Sequence, residues 1–144
     1  MAPPPTLVVV EDDGEHVALM QGAFAQAALP YDLVFLQDGQ AVLDYFRSSG
    51  APQHAKPRQA SVVLLDLALP LCSGIDVLHA LKHQAATQHI PVLIFTGSAD
   101  QPTIEHCYAL GCNAYFTKPL AADQFHAMIV GISGLLSVMA VPTG

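Results

Sequence analysis

Ala60-Ser61-Val62-Val63-Leu64-Leu65-Asp66 is an apolar run closed by a carboxylate, with Leu67-Ala68-Leu69-Pro70 behind it. Its β-branched and leucine content without polar alternation reads as a strand covered on both faces, the habit of a parallel sheet. Strands of the same kind recur on either side. Thr6-Leu7-Val8-Val9-Val10 precedes Glu11-Asp12-Asp13, Tyr31 to Leu36 forms the second, Pro91 to Phe95 ends on Thr96, and Ala114-Tyr115-Phe116-Thr117 ends on Lys118.

Between the strands the apolar period changes to that of a helix. Val17, Leu19, Met20, Ala23, Phe24 and Ala27 mark the first helix, which Leu29-Pro30 ends. A turn at Asp38-Gly39 leads to a stripe of Ala41, Val42, Tyr45 and Phe46. Ser73-Gly74 opens a third helix with Ser73 as N-cap, and Asp100 to Leu110 gives a fourth with Gly111 at its C-cap. The fifth runs from about Leu120 to Val138. Ser48 to Gln59 is the longest loop. This alternation predicts an α/β domain of flavodoxin-like, doubly wound type: a five-stranded parallel sheet of order 2-1-3-4-5 flanked by five helices. The expected divisions are a disordered leader at 1–5, the domain at 6–139 and a tail at 140–144.

A length of 144 residues suits one domain with a real core. The net charge of −7 and the scattered Arg47, Lys56, Arg58, Lys82 and Lys118 exclude a nucleic-acid surface. Cys72, Cys107 and Cys112 have no paired spacing and read as free thiols. The start, Met1-Ala2-Pro3-Pro4-Pro5, lacks a secretory pattern, and the apolar stretch from Ala127 to Val141 is too short to span a membrane. The expected location is the cytoplasm.

Open parallel sheets gather at one rim the residues just past the carboxyl ends of their strands. Glu11, Asp12, Asp13, Asp66, Thr96 and Lys118 are therefore expected to be neighbours. Two carboxylates about 4 Å apart repel by roughly 4 kcal/mol at an effective dielectric near 20. Such a cluster requires countercharge, which Lys118 and a hard divalent cation held by oxygens would supply. Lys118 is the only Lys or Arg after Lys82, and Pro119 restricts its backbone and permits a cis bond. It has the character of a placed point charge for phosphate or carboxylate.

V-E-D-D at 10–13, L-L-D-L-A-L-P at 64–70, S-G at 73–74, F-T-G at 95–97 and Y-F-T-K-P at 115–119 resemble a response-regulator receiver domain. The resemblance covers nearly the whole chain and implies that Asp66 accepts a phosphoryl group from a phosphohistidine on a sensor kinase. It implies Mg²⁺, with Mn²⁺ as an alternative, held by Asp12, Asp66 and the Ala68 backbone carbonyl. Glu11 would help directly or through water, with Asp13 as a further candidate. Thr96 and Lys118 would bind the phosphoryl oxygens, with Gly97 leaving room for them. Thr96 and Tyr115 would form a switch that repacks the surface of helix 4, strand 5 and helix 5. A stand-alone receiver is expected, not itself an enzyme, whose long loop and apolar last helix resemble small receivers serving phytochrome-type kinases.

Plainer readings stand beside these. Asp12 or Asp13 alone is as readily the N-cap of the first helix. Thr96 alone is a turn hydroxyl, and Lys118 alone a snorkelling surface lysine. His79 and His83 lie four apart on one helix but have no third ligand, so a solvated face is favoured. The other histidines, His16 among them, look scattered. Helix 5 carries Phe125, Ile129, Ile132 and Leu136 on one stripe, and Met128, Val130, Leu135, Val138 and Met139 elsewhere. Such a helix folds back on its own domain, or serves as the preferred homodimer or kinase-docking face. The rival functions are an aspartyl-phosphate hydrolase, against which Ala68 counts, and a flavodoxin-like cofactor module, whose phosphate loop the acidic Glu11-Asp12-Asp13 would oppose. The resemblance implies that Ala68 and Ser98 flank the water that would attack the phosphoaspartate.

Overall fold

The computed structural model describes residues 6–27, 32–47, 60–118, 121, 123 and 126–131. The strands are β1 (Thr6–Val10), β2 (Asp32–Leu36), β3 (Ala60–Leu65), β4 (Val92–Thr96) and β5 (Ala114–Thr117). The helices are α1 (Gly14–Ala27), α2 (Gly39–Arg47), α3 (Gly74–Lys82) and α4 (Gln101–Leu110), followed by α5, helical over 126–131. All strand pairs are parallel and the order is β2-β1-β3-β4-β5, as the alternation requires.

Period-two side-chain alternation divides the apolar strands between two cores. Val8, Val10, Val63, Leu65, Val92 and Ile94 face one side, where Val42 of α2, Val77, Leu78 and Leu81 of α3, and Cys107 of α4 cover them. Leu7, Val9, Val62, Leu64, Leu93 and Phe95 face the other, against Met20, Ala23 and Phe24 of α1 and Ile129 of α5. Each such leucine or isoleucine taken wholly out of water stabilises the fold by about 1.5–3 kcal/mol.

Helix ends follow local chemistry. Asp38 and Gly39 do not form the separate turn expected. The Asp38 carboxylate accepts the Ala41 N–H at 2.7 Å, which satisfies a first-turn donor and starts α2 at Gly39. Ser73 caps α3 by accepting the Asp76 N–H at 3.2 Å. Asp100 stands outside α4 as its cap, accepting from both the N–H and the hydroxyl of Thr103. α4 ends at Gly111, whose φ of 107° favours glycine. Gly111 N–H donates to Tyr108 O, and Cys112 N–H donates back to Cys107 O. Cys107 and Cys112 are thus the two buried residues closing this Schellman turn. All three cysteines are free.

The loop from β3 to α3 is held unusually close to the helices beside it. A Cβ on Gly74 would lie 2.2 Å from the Asp66 carbonyl oxygen and 2.5 Å from the Leu67 Cα. A Cβ on Gly39 would lie 2.0 Å from the Cys72 carbonyl oxygen. Within the loop, Cys72 N–H donates to Pro70 O at 2.8 Å around Leu71, whose φ is 70°. This is a γ-turn on a non-glycine residue, a strained arrangement, and it leaves the Leu71 side chain 83% exposed.

The leader at 1–5, Tyr31, the loop from Ser48 to Gln59, Pro119, Phe125, Ile132 and the residues beyond it lie outside the described residues, with the expectations attached to them. Among the described residues no helix is long and apolar enough to cross a membrane.

Candidate functional site

Register brings the rim together. Val10 pairs with Leu65, so the residues after them, Glu11 and Asp66, emerge side by side. Their backbones are pinned to neighbouring strands: Glu11 N–H donates to Leu36 O at 3.0 Å, and Asp66 N–H to Val10 O at 3.1 Å. β4 and β5 pair through Thr96 and Thr117, and Lys118 N–H then donates to Thr96 O at 2.7 Å. Four strand ends therefore open on one edge.

Glu11, Asp12 and Asp66 each place a carboxylate oxygen within 4.8 Å of the others. Glu11 and Asp66 are buried, whereas Asp12 is exposed and gives the cluster its open side. Asp66 is held at both oxygens: Ala68 N–H donates to Oδ1 at 3.2 Å, and Lys118 Nζ donates to Oδ2 at 2.8 Å. Lys118 Nζ also stands 2.6 Å from Glu11 Oε1 and 5.8 Å from the centre of the Phe95 ring. Thr96 is buried at the end of β4.

Asp13 is apart from this cluster. Its Oδ1 accepts the N–H groups of Glu15, at 2.9 Å, and His16, at 3.3 Å, which makes it the N-cap of α1. Those two N–H groups hold its carboxyl below the usual range. Tyr115 lies half-buried on β5, and its Oη donates to Ser98 O at 2.6 Å. His79 and His83 stack at 3.9 Å on the exposed side of α3, with His83 Nδ1 2.8 Å from His79 O. Among the described residues they belong to no group of three or more potential metal ligands.

The charge balance is uneven. Burial pushes the Glu11 carboxyl above its ordinary range; its contact with Lys118 opposes the rise and repulsion from Asp66 adds to it. Burial alone would depress Lys118, but its bonds to Asp66 and Glu11 outweigh that and hold it above its ordinary value. One ammonium, paired with Glu11 and Asp66, thus stands beside a cluster of three carboxyl groups whose exposed member is Asp12. An all-oxygen donor set with excess negative charge fits a hard divalent cation.

His16 is a residue of the site that the sequence pattern did not single out. Its Nδ1 lies 3.1 Å from Lys118 Nζ, 3.6 Å from Glu11 Oε1 and 3.9 Å from Asp13 Oδ2. The available signal was its position three residues after a helix cap, because the first turn of a helix leaving a strand end still borders the rim.

Residues 7–130 match the family model of the response regulator receiver domain. The probable methanogenesis regulatory protein FilR2 of Methanothrix harundinacea is 34% identical over 118 residues, 82% of this chain and 74% of that one. Response regulator Rcp1 of Synechocystis is 29% identical over 141 residues, 97% of this chain and 95% of that one. The crystal structure of the Mn²⁺-bound form of Rcp1 gives a TM-score of 0.86 at 28% identity, covering 97% of this chain and 100% of that one. The phosphorylated cyanobacterial phytochrome response regulator RcpA gives 0.88 at 30% identity, covering 97% and 99%. These likenesses do not favour the hydrolase or the cofactor-binding module. With the rim geometry, they establish that this chain belongs to the response-regulator receiver family, signalling domains that work with histidine kinases.

Proposed function

We propose that Asp66 is the phosphoacceptor of this receiver and takes its phosphoryl group from a phosphohistidine on a sensor kinase. The observation that carries the proposal is a buried carboxylate fixed at both oxygens, by Ala68 N–H and the Lys118 ammonium, beside Glu11 and Asp12. A bond forms from an Asp66 oxygen to phosphorus as the phosphorus–nitrogen bond of the donor breaks. Lys118, already at the rim, meets the phosphoryl oxygens by turning a hydrogen from Asp66 toward them, and Thr96 offers its hydroxyl to them. This is catalysis by placement and fixed charge.

Asp12, Asp66 and the Ala68 carbonyl would hold Mg²⁺ or Mn²⁺, with Glu11 assisting. When bound, the cation neutralises the acidic cluster and the incoming phosphoryl charge. Support comes from the all-oxygen donor set and from the Mn²⁺-bound form of Rcp1. Asp13 is assigned to capping α1.

Phosphorylation would bias a packing equilibrium through Thr96 and Tyr115, whose bond to Ser98 O ties β5 to the segment after β4. The responding surface is that of α4, β5 and α5, where Tyr108 and Val130 are exposed and where a second copy would dock. A phytochrome-type kinase is the proposed donor, on the strength of likeness to Rcp1 and RcpA, and the cytoplasm the proposed location.

Incubation with acetyl phosphate and Mg²⁺, followed by intact-mass measurement, tests the assignment. Wild type should gain one acid-stable, base-labile phosphoryl adduct, and Asp66→Asn or added EDTA should abolish it. An adduct retained on Asp66→Asn would place the acceptor elsewhere.

A further inference from the structure

Three acceptor atoms lie close to the Lys118 ammonium: Glu11 Oε1 at 2.6 Å, an ion-pair contact without hydrogen-bond geometry, Asp66 Oδ2 at 2.8 Å and His16 Nδ1 at 3.1 Å. Two of these acceptors belong to the acidic cluster. The third comes from the first turn of α1, set there by Asp13, whose Oδ1 accepts the His16 N–H. We infer that His16 is a positioning residue for phosphoryl transfer: its Nδ1 accepts a hydrogen bond from Lys118 and fixes the ammonium at the rim.

The direction of that bond follows from chemistry. An ammonium only donates, so a bond between the two requires a lone pair on Nδ1, with the ring proton on Nε2. Glu11 Oε1 and Asp13 Oδ2 would favour a proton on Nδ1, but they stand farther off, at 3.6 and 3.9 Å, than the lysine.

The consequence concerns what happens when a phosphoryl group arrives. Lys118 must turn a hydrogen from Asp66 toward the new oxygens while staying in place. Glu11 alone would leave it pivoting about one contact at the buried side. His16 supplies the second, from the partly open side, and so holds Nζ along the line of approach. A preplaced charge stabilises the transferring group without the cost of ordering it during the reaction.

The inference rests on the receiver reading, and the test separates the two. Phosphorylation by acetyl phosphate at saturating Mg²⁺ is timed for wild type, His16→Leu and His16→Asn. Asparagine can present an amide oxygen near the Nδ1 position. His16→Leu should slow the reaction about tenfold, the scale of one hydrogen bond to a charged group. His16→Asn should recover most of the rate, and the Mg²⁺ midpoint should be the same in all three. A long-range ¹H–¹⁵N spectrum of the unphosphorylated protein should show His16 protonated at Nε2 and bare at Nδ1. A wild-type rate for His16→Leu, an equal deficit in His16→Asn, or a proton on Nδ1 would overturn the inference. Absence of any adduct on wild type would instead overturn the assignment of Asp66.

Discussion

Lys118 Nζ sits 2.6 Å from Glu11 Oε1, at a carboxylate that is 1% exposed, yet burial still leaves that carboxyl titrating above its ordinary range. Its neutral form is therefore favoured by folding, and Glu11 weakens the metal-free protein as pH rises above about 4.5. Glu11→Gln should raise the melting temperature in EDTA. Mg²⁺ at a hundred times its dissociation constant should stabilise wild type by about 2.7 kcal/mol, several degrees for a domain of this size. In Glu11→Gln that increment should shrink. Thermal melts with and without Mg²⁺ read both effects, and an undiminished increment would remove Glu11 from the cation site.

Gly74 is the point at which α3 touches the segment leaving β3. Gly74→Ala would drive a methyl group into the Asp66 carbonyl and the Leu67 Cα, neither of which is the movable end of a side chain. The expected cost is about 3 kcal/mol, the upper part of the range for overpacking. Because the displaced backbone carries Asp66, phosphorylation should slow as well. Urea denaturation and the acetyl phosphate assay would show the two losses together.

Leu71 stands at φ 70° with its side chain in solvent, so it bears backbone strain without compensating packing. Leu71→Gly should stabilise the protein by about 1 kcal/mol, the relief of a left-handed residue less the chain entropy of glycine. Equilibrium unfolding measures this directly, and a loss of stability would mean that the side chain is held by something other than water.

Cys112 gives a pH signature at the alkaline end. Burial first, and then the neighbouring Cys107, push its thiol from about 9 up to about 11. The folded state keeps the proton that the unfolded chain releases, so the associated stability is complete below pH 9 and drains away between pH 9 and 11. The loss should reach about 2 kcal/mol. Cys112→Ala should decline less steeply over the same interval in urea melts, the difference between the two chains cancelling the titration of Lys118 and the tyrosines.

Much of this was legible in the linear chain, for definite reasons. Strands covered on both faces must be apolar throughout, so Val8 to Val10, Val62 to Leu65 and Val92 to Phe95 declared themselves, and a polar residue after each marked the rim. The meeting of Glu11, Asp12, Asp66 and Lys118 at one rim was expected on that ground. Asp13 was indistinguishable from them by sequence, because a carboxylate after a strand serves equally as ligand or cap; only its bonds to Glu15 and His16 decide. His16 escaped because helical faces are set by rotation about an axis that a single turn does not reveal. Asp38-Gly39 looked like a turn because the same pair both bends a chain and starts a helix. The γ-turn at Leu71 had no signal at all, since leucine is the wrong residue for it.

The order β2-β1-β3-β4-β5 carries a consequence for biosynthesis. Position 11 contributes one wall of the rim and position 118 another, and the middle of the sheet forms between β1 and β3, segments far apart along the chain. A ribosome must therefore release most of the polypeptide before Lys118 can meet Glu11 and Asp66. Nascent fragments lacking β5 would expose the acidic residues without their lysine.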